Sequence, residues 1–250
     1  MGYQLTSDEV AEFQGRLTGA DYQVEGLDVW FTTTTEFLEE VLPPCFTAPQ
    51  EPKGYVQLSG GVGAGMGEFS AATIYVAAHF GDVEGYYDLT MMLSGDMTVI
   101  LGRELWGESK KRGEIELTVT QGRARGTATR GGVTVIDASG EIGEDQGPRD
   151  TVRHGMHLKA FLNSDATDLE YDPVVFVLTC TTHYETYHEG PATLTFASSP
   201  GDPCGSIPVV SVDRAVYGRR SATYAHARHG VEGREGYLPY VLGRSYDLFV

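Results

Sequence analysis

Gly102-Arg103-Glu104-Leu105-Trp106-Gly107-Glu108-Ser109-Lys110-Lys111-Arg112-Gly113 runs straight into Glu114-Ile115-Glu116-Leu117-Thr118-Val119. The second half alternates polar and apolar side chains with period two, the pattern of a strand with one buried face. The first half sets two adjacent lysines between glycines. The chain has only four lysines, Lys53, Lys110, Lys111 and Lys159, so arginine is its usual choice for positive charge. Lysine offers an amine that can lose its proton and attack a carbonyl. Two ammonium groups ~6 Å apart repel by roughly 3 kcal/mol at an effective dielectric of ~20, about two pKa units. Desolvation in an apolar pocket would supply the rest of what a neutral amine needs. Neighbouring side chains on a flat strand point to opposite faces, so a shared pocket requires a bend, which Gly107 and Gly113 permit. On charge alone, Lys110-Lys111-Arg112 reads first as a solvated basic loop.

Outward from this stretch, β-patterns dominate. Strands are expected at Leu27–Phe31, Tyr55–Leu58, Ala71–Ala78, Tyr86–Met92, Thr98–Leu101, Glu114–Thr120, Arg123–Thr129, Gly132–Ala138, Met156–Leu162, Val174–His183, Ala192–Ala197 and Val209–Val216. Thr6 to Glu9 reads as a capping box opening a short helix that ends near Gly15. Glu36 to Leu42 makes a second helix, stopped by Pro43-Pro44. The glycine-rich run from Gly60 to Gly67 lacks the spacing of a phosphate loop and precedes a β-pattern instead of a helix, so it reads as a turn beside the pocket. Glu141 to Arg153 reads as a loop. Many short strands with short turns suggest a barrel or sandwich.

The formal net charge of -17 over 250 residues argues against nucleic acid or an anionic membrane as partner. No apolar run approaches a membrane span or a signal peptide. Cys45, Cys180 and Cys204 are odd in number and widely spaced, which fits reduced thiols in a cytoplasmic protein. His183, His188, Glu185 and Glu189 cluster in sequence, and His154/His157 and His226/His229 are spaced by three, but none matches a metal motif. No metal or cofactor is expected.

Gly102-Arg103-Glu104-Leu105, four intervening residues, then Lys110-Lys111 resembles the active-site signature of the acetoacetate decarboxylase family. That family is a standard instance of a lysine activated by desolvation or a neighbouring cation. Gly85-Tyr86-Tyr87-Asp88 and Met91-Met92 upstream, with Gly190-Pro191-Ala192-Thr193-Leu194 and Asp202 to Val209 downstream, carry the similarity from about Leu27 to Asp247. The resemblance implies a mostly β (α+β) fold: one antiparallel β-barrel domain over residues 1–250 with short flanking helices, assembling as a homo-oligomer. It implies Lys110 as the imine-forming nucleophile, Lys111 as the neighbour that perturbs its pKa, and Glu68 as the proton-handling carboxylate. Arg103 and Glu104 are expected as a structural ion pair or, with Trp106, as positioning groups for substrate.

The sequence also departs from the family. Val24 or its neighbours stand where the family carries an arginine, and Gln57, Leu58 or Ser59 where it carries a second glutamate. Ser109 replaces the usual proline before the lysines. These changes weaken the case for acetoacetate itself more than the case for an imine. The activity implied is a carbon–carbon lyase acting on a small keto acid, foremost the decarboxylation of a β-keto acid such as acetoacetate. Aldol condensation with dehydration, or cyclisation of keto acids in a secondary-metabolite pathway, would use the same imine. A non-catalytic barrel that binds a small ligand is the remaining reading.

Overall fold

The computed structural model describes residues 3–17, 22–63 and 67–247. In chain order its elements are α1 (Ser7–Leu17), β1 (Tyr22–Thr32), α2 (Thr35–Val41), β2 (Lys53–Gly63), β3 (Gly67–Phe80), β4 (Val83–Leu93) and α3 (Asp96–Leu105). There follow β5 (Lys110–Arg112), β6 (Glu114–Thr120), β7 (Arg123–Arg130), β8 (Val133–Glu141), β9 (Arg149–Lys159) and β10 (Val174–Tyr184). The chain continues through β11 (His188–Gly190), β12 (Ala192–Phe196), a 3-10 turn at Cys204–Ser206, β13 (Ser211–Gly230) and α4 (Leu238–Ser245).

One sheet runs β1-β2-β3-β4-β9-β10-β13, and β1 pairs back onto β13 from Tyr22↔Ala222 to Thr32↔Ser211, so the sheet closes into a ring. The expected purely antiparallel arrangement does not hold. β4 runs parallel to β9 through Tyr86↔Gly155 and parallel to β5 through Met91↔Lys110, so the ring is mixed. β5 and β9 occupy the same edge of β4 in succession. That placement inserts the lysine strand into the ring wall.

Period-two patterning gives the ring two different faces. On β2 and β3, Tyr55, Gln57, Ser59, Phe69, Ala71, Thr73 and Tyr75 face inward and line a cavity. The alternate residues Val56, Leu58, Ala72, Ile74 and Val76 face outward and are fully buried. They join Ala124, Ala128, Val135, Ile136 and Ala138 of a second sheet, β12-β8-β7-β6, in one hydrophobic cluster. Burying a side chain such as Leu58 or Ile74 contributes roughly 2 kcal/mol. The core therefore lies between the two sheets, and the ring's interior is left free for polar groups.

Several elements differ from their sequence expectation. Residues 98–101 form part of helix α3 instead of a strand, although Thr98, Val99 and Ile100 favour strands locally. Gly95 opens the helix, the Thr98 hydroxyl donates back to the Gly95 carbonyl at 2.7 Å, and Asp96 and Arg103 complement the helix dipole at its two ends. β13 is far longer than Val209–Val216, and β9 begins inside the expected loop, because both strands carry charged residues that break simple alternation. Gly60–Gly63 continue β2 up to the pair Gly63↔Gly67 instead of forming a turn, and residues 64–66 lie outside the described residues. The Thr6–Glu9 capping box and the Thr34 cap of α2 form as their sequences dictate. Among the described residues, no helix is long and apolar enough to cross a membrane.

Candidate active site

Lys110 enters the ring from β5, and its amine lies 2.6 Å from Glu108 Oε2. Both residues are buried, at 8% and 7% exposure. Two glycines make this possible. Gly102 in α3 faces the pair, and a Cβ there would stand 2.5 Å from both Cδ and Nζ of Lys110. Gly107 adopts φ +75, and a Cβ on it would come within 2.6 Å of the Lys159 backbone nitrogen. The tight turn and the bare helix surface therefore let the Glu108–Lys110 hook fold back against α3.

Surrounding elements fix that hook. Arg103 donates to the carbonyls of Lys110 (3.2 Å) and Ser245 (2.9 Å) and lies over the Tyr246 ring, locking the lysine strand to α4. It forms no ion pair with Glu104, which is exposed and whose backbone carbonyl accepts from Lys159. The Ser109 amide and hydroxyl donate to Asp88 Oδ2 at 2.7 and 3.0 Å. Asp88 is fully buried. Burial pushes its pKa up, but His157, with Nδ1 2.9 Å from Oδ1, then Arg244 and the Ser109 amide, outweigh burial and hold the carboxyl below its ordinary range.

The cavity that receives Lys110 encloses about 130 Å³. One water needs ~10–15 Å³ by this measure, so a small organic acid fits and a polymer does not. Trp106, Tyr22, Tyr224 and Phe69 line it together with Lys110 and Glu108, and Arg153, Arg220, His157 and Cys180 enter from β9, β10 and β13. Deeper in, Asp28 accepts from Arg220 at 2.8 and 3.0 Å and from Arg153 at 3.0 Å. Burial raises the Asp28 pKa, but the two guanidiniums win and bring it down to about 2. Arg220 also donates to the Tyr184 hydroxyl at 2.8 Å. Two arginines share one aspartate while Lys110 and Glu108 neutralise each other, so these groups leave one surplus positive charge. Burial raises the pKa of the Tyr75 phenol well above its usual value, which keeps it a neutral donor.

Lys111 leaves β5 on the opposite face. Its amine donates to the Gly201 carbonyl at 2.8 Å and pairs with Asp202 (3.2 Å) and Asp247 (3.0 Å), which Arg130 also holds. Lys110 and Lys111 therefore do not share a pocket, and no bend brings their amines together. β5 keeps the ordinary alternation of a strand.

The family model for acetoacetate decarboxylase (ADC) matches residues 7–231. The chain belongs to the acetoacetate decarboxylase family. Among solved structures, the acetoacetate decarboxylase of Legionella pneumophila subsp. pneumophila str. Philadelphia 1 shares the fold at TM-score 0.75 and 18% identity, over 85% of this chain and 87% of that one. The enduracididine biosynthesis enzyme MppR, in complex with the condensation product of pyruvate and imidazole 4-carboxaldehyde, superposes at TM-score 0.72 and 14% identity, over 85% and 88%. An acetoacetate decarboxylase-like enzyme from Sphingomonas wittichii RW1 follows at 0.64 and 15%, over 84% and 92%. No curated protein matches the chain in sequence.

Within this acetoacetate decarboxylase-family fold, Glu68 does not reach the lysine. It sits at the exposed start of β3, in a shallow outer groove with Val62 and Ser94, on the strand face opposite Phe69, Ala71 and Thr73. Glu108 is the carboxylate beside Lys110, and sequence reading passed over it although it lies inside the motif. Val24 lines the cavity across the ladder from Arg220, which lines it too, in the register Val24↔Arg220. Gln57 and Ser59 line the cavity where a second glutamate was sought, and Gln57 donates to Asp28 at 3.3 Å. Leu58 belongs to the core. Trp106 lines the cavity. The sequence histidines separate: His157 is buried against Asp88, whereas His183 is exposed and pairs with Asp150 at 2.7 Å.

Proposed function

We propose that this protein is a Schiff-base enzyme that forms an imine between Lys110 and the ketone of a small keto acid. The observation that carries the proposal is the buried Lys110–Glu108 pair in a cavity with a surplus guanidinium charge. Glu108 is in place to take the ammonium proton, which frees the amine to attack the carbonyl carbon. The same carboxylic acid then returns the proton to the carbinolamine oxygen, so that water leaves and a protonated imine forms. Arg153 and Arg220 supply the charge that favours the substrate's carboxylate. With a β-keto acid, the electrons of the bond to the carboxylate flow into the imine as carbon dioxide departs. The enamine left behind takes a proton on carbon, and water releases the ketone product.

A second reading, aldol addition followed by dehydration, is favoured by His157. Its Nδ1 faces Asp88, so Nε2 is the ring nitrogen left for the cavity, giving a base separate from Glu108. Decarboxylation alone has no need of a second base. MppR, a neighbour in fold, has been solved with pyruvate bound, which makes pyruvate a rational probe beside acetoacetate. Incubation with each keto acid and borohydride should give a covalent adduct in intact mass. Carbon dioxide release from acetoacetate supports decarboxylation; an adduct with pyruvate, without carbon dioxide from acetoacetate, supports the aldol reading. Absence of any adduct would leave only a ligand-binding ring.

A further inference from the structure

Asp88 occupies a gap on the edge of β4, between the β9 pairs that end at Tyr87↔Met156 and the β5 pairs that begin at Met91↔Lys110. Its carboxylate spans that gap. Oδ2 accepts from the amide and the hydroxyl of Ser109, the residue set between Glu108 and Lys110. Oδ1 lies 2.9 Å from Nδ1 of His157 and 3.6 Å from Nη1 of Arg244. One fully buried carboxylate therefore touches both the turn that carries the lysine and a histidine that lines the same cavity. Apolar side chains often replace a buried ion pair at no loss of stability, so stability alone does not call for a charge here.

A carboxylate oxygen can only accept, so it favours the proton of a neutral His157 on Nδ1 and leaves the lone pair on Nε2. A Cβ on Gly155 would stand 3.2 Å from Nε2, and Gly155 lines the Lys110 cavity together with His157. The missing side chain at Gly155 keeps that nitrogen open. We propose that Asp88 is a positioning residue that sets the tautomer of His157 and ties it through Ser109 to the Lys110 turn, and that His157 so held exchanges hydrogen at the carbon next to the ketone of a keto acid such as pyruvate. The proposal rests on Lys110 forming an imine. In the step, Nε2 takes a proton from that carbon, the C–H electrons form a carbon–carbon double bond, and the imine electrons move onto the Lys110 nitrogen. Return of a solvent-derived proton from Nε2 to carbon restores the imine, so neither an oxidant nor a leaving group is required.

Pyruvate incubated with the full chain in deuterium oxide tests it. Proton NMR of the pyruvate methyl group reads the exchange, and borohydride trapping on the same samples reads the imine. Wild type should show both. Asp88→Asn keeps the size and an acceptor for Ser109 but turns an amide donor toward Nδ1, so the histidine proton moves to Nε2 and the base is lost. Exchange should fall by roughly 10²–10⁴-fold, while the trapped adduct still forms. His157→Gln removes the ring base outright and should give the same split, which keeps the test open if a thermal melt shows that Asp88→Asn does not fold. A merely structural Asp88 would lower exchange and trapping in proportion, and that result in a folded variant would overturn the proposal. So would wild-type exchange in folded Asp88→Asn or His157→Gln. Trapping without exchange in wild type would overturn the proposal and leave the Lys110 imine standing; absence of trapping would remove both.

Discussion

Replacing Gly102 by alanine should silence Lys110 while leaving the fold standing. A Cβ at that position would lie 2.5 Å from Nζ and Cδ of Lys110 and closer still to Glu108 Oε2. Ordinary contacts between carbons fall at ~3.5–4.0 Å, so the amine and the carboxylate must withdraw by about 1 Å. Both are the ends of flexible side chains, so the helix need not move. Within a helix, alanine is favoured over glycine by ~0.8–1.0 kcal/mol, which offsets much of the crowding. A net change of ~1 kcal/mol moves Tm by about 2–4 °C in a chain of this size. Misplacing a reacting group by ~1 Å can lower its rate by about 10²-fold. Borohydride trapping with pyruvate, timed by intact mass beside a thermal melt, reads both quantities on one sample. Near-normal Tm with trapping slowed by about two orders of magnitude is expected. Wild-type trapping in a normally folded Gly102→Ala protein would refute the idea that α3 shapes the lysine's position.

Glu108→Gln should slow turnover by roughly 10²–10⁴-fold if Glu108 moves the proton, whereas Glu68→Gln should leave turnover at the wild-type level; steady-state kinetics separates the two. Lys111→Met strips a buried cation from Asp202 and Asp247 and should destabilise by about 3 kcal/mol in denaturant titration. The pH profile of trapping should stay in place, since Lys111 leaves β5 on the face opposite Lys110. Asp28→Asn leaves Arg153 and Arg220 without their carboxylate and should cost about 3–5 kcal/mol in the same assay. The Asp28 carboxyl titrates lower in the folded chain than its ordinary 3.8, at about 2. Its contribution, roughly 2 kcal/mol, is therefore complete above about pH 4 and is lost as pH falls toward about 2. Acid titration of wild type against Asp28→Asn should show the gap closing over that range.

What the sequence made legible follows strand periodicity. β6 matches its expected span to the residue, and the β7–β8 hairpin turns at Gly131-Gly132 as its glycines suggest. Lys110 and Trp106 stand close in the sequence because they belong to one contiguous string, and both line the cavity. The errors also obey the same periodicity. Ala72, Ile74 and Val76 mark the even positions of β3 as its core-facing side, and Glu68 shares that parity, so it faces away from the cavity. Adjacent Lys110 and Lys111 diverge for the same reason. Arg220 and Arg153 are not legible from sequence because ring closure pairs β13 with β1 and lets β9, which pairs with β4 and β10, reach Asp28 from far along the chain. A signal for their partner was present: Asp28 between Leu27 and Val29 is a charge set within an apolar strand, where a buried partner is required, and Asp88 between Tyr87 and Leu89 points in the same way to His157 and Arg244. Helix α3 was misread because its β-branched run carries strand propensity that its caps and packing override.

The central claim is that Lys110 carries the covalent chemistry. The most direct measurement is peptide mapping of the borohydride-trapped adduct with acetoacetate and with pyruvate, run beside Lys110→Arg, which keeps the charge and removes the attackable amine. The account predicts a single modified residue at Lys110 and no adduct in the variant. An adduct on Lys53, Lys111 or Lys159, or one that persists in Lys110→Arg, would contradict it.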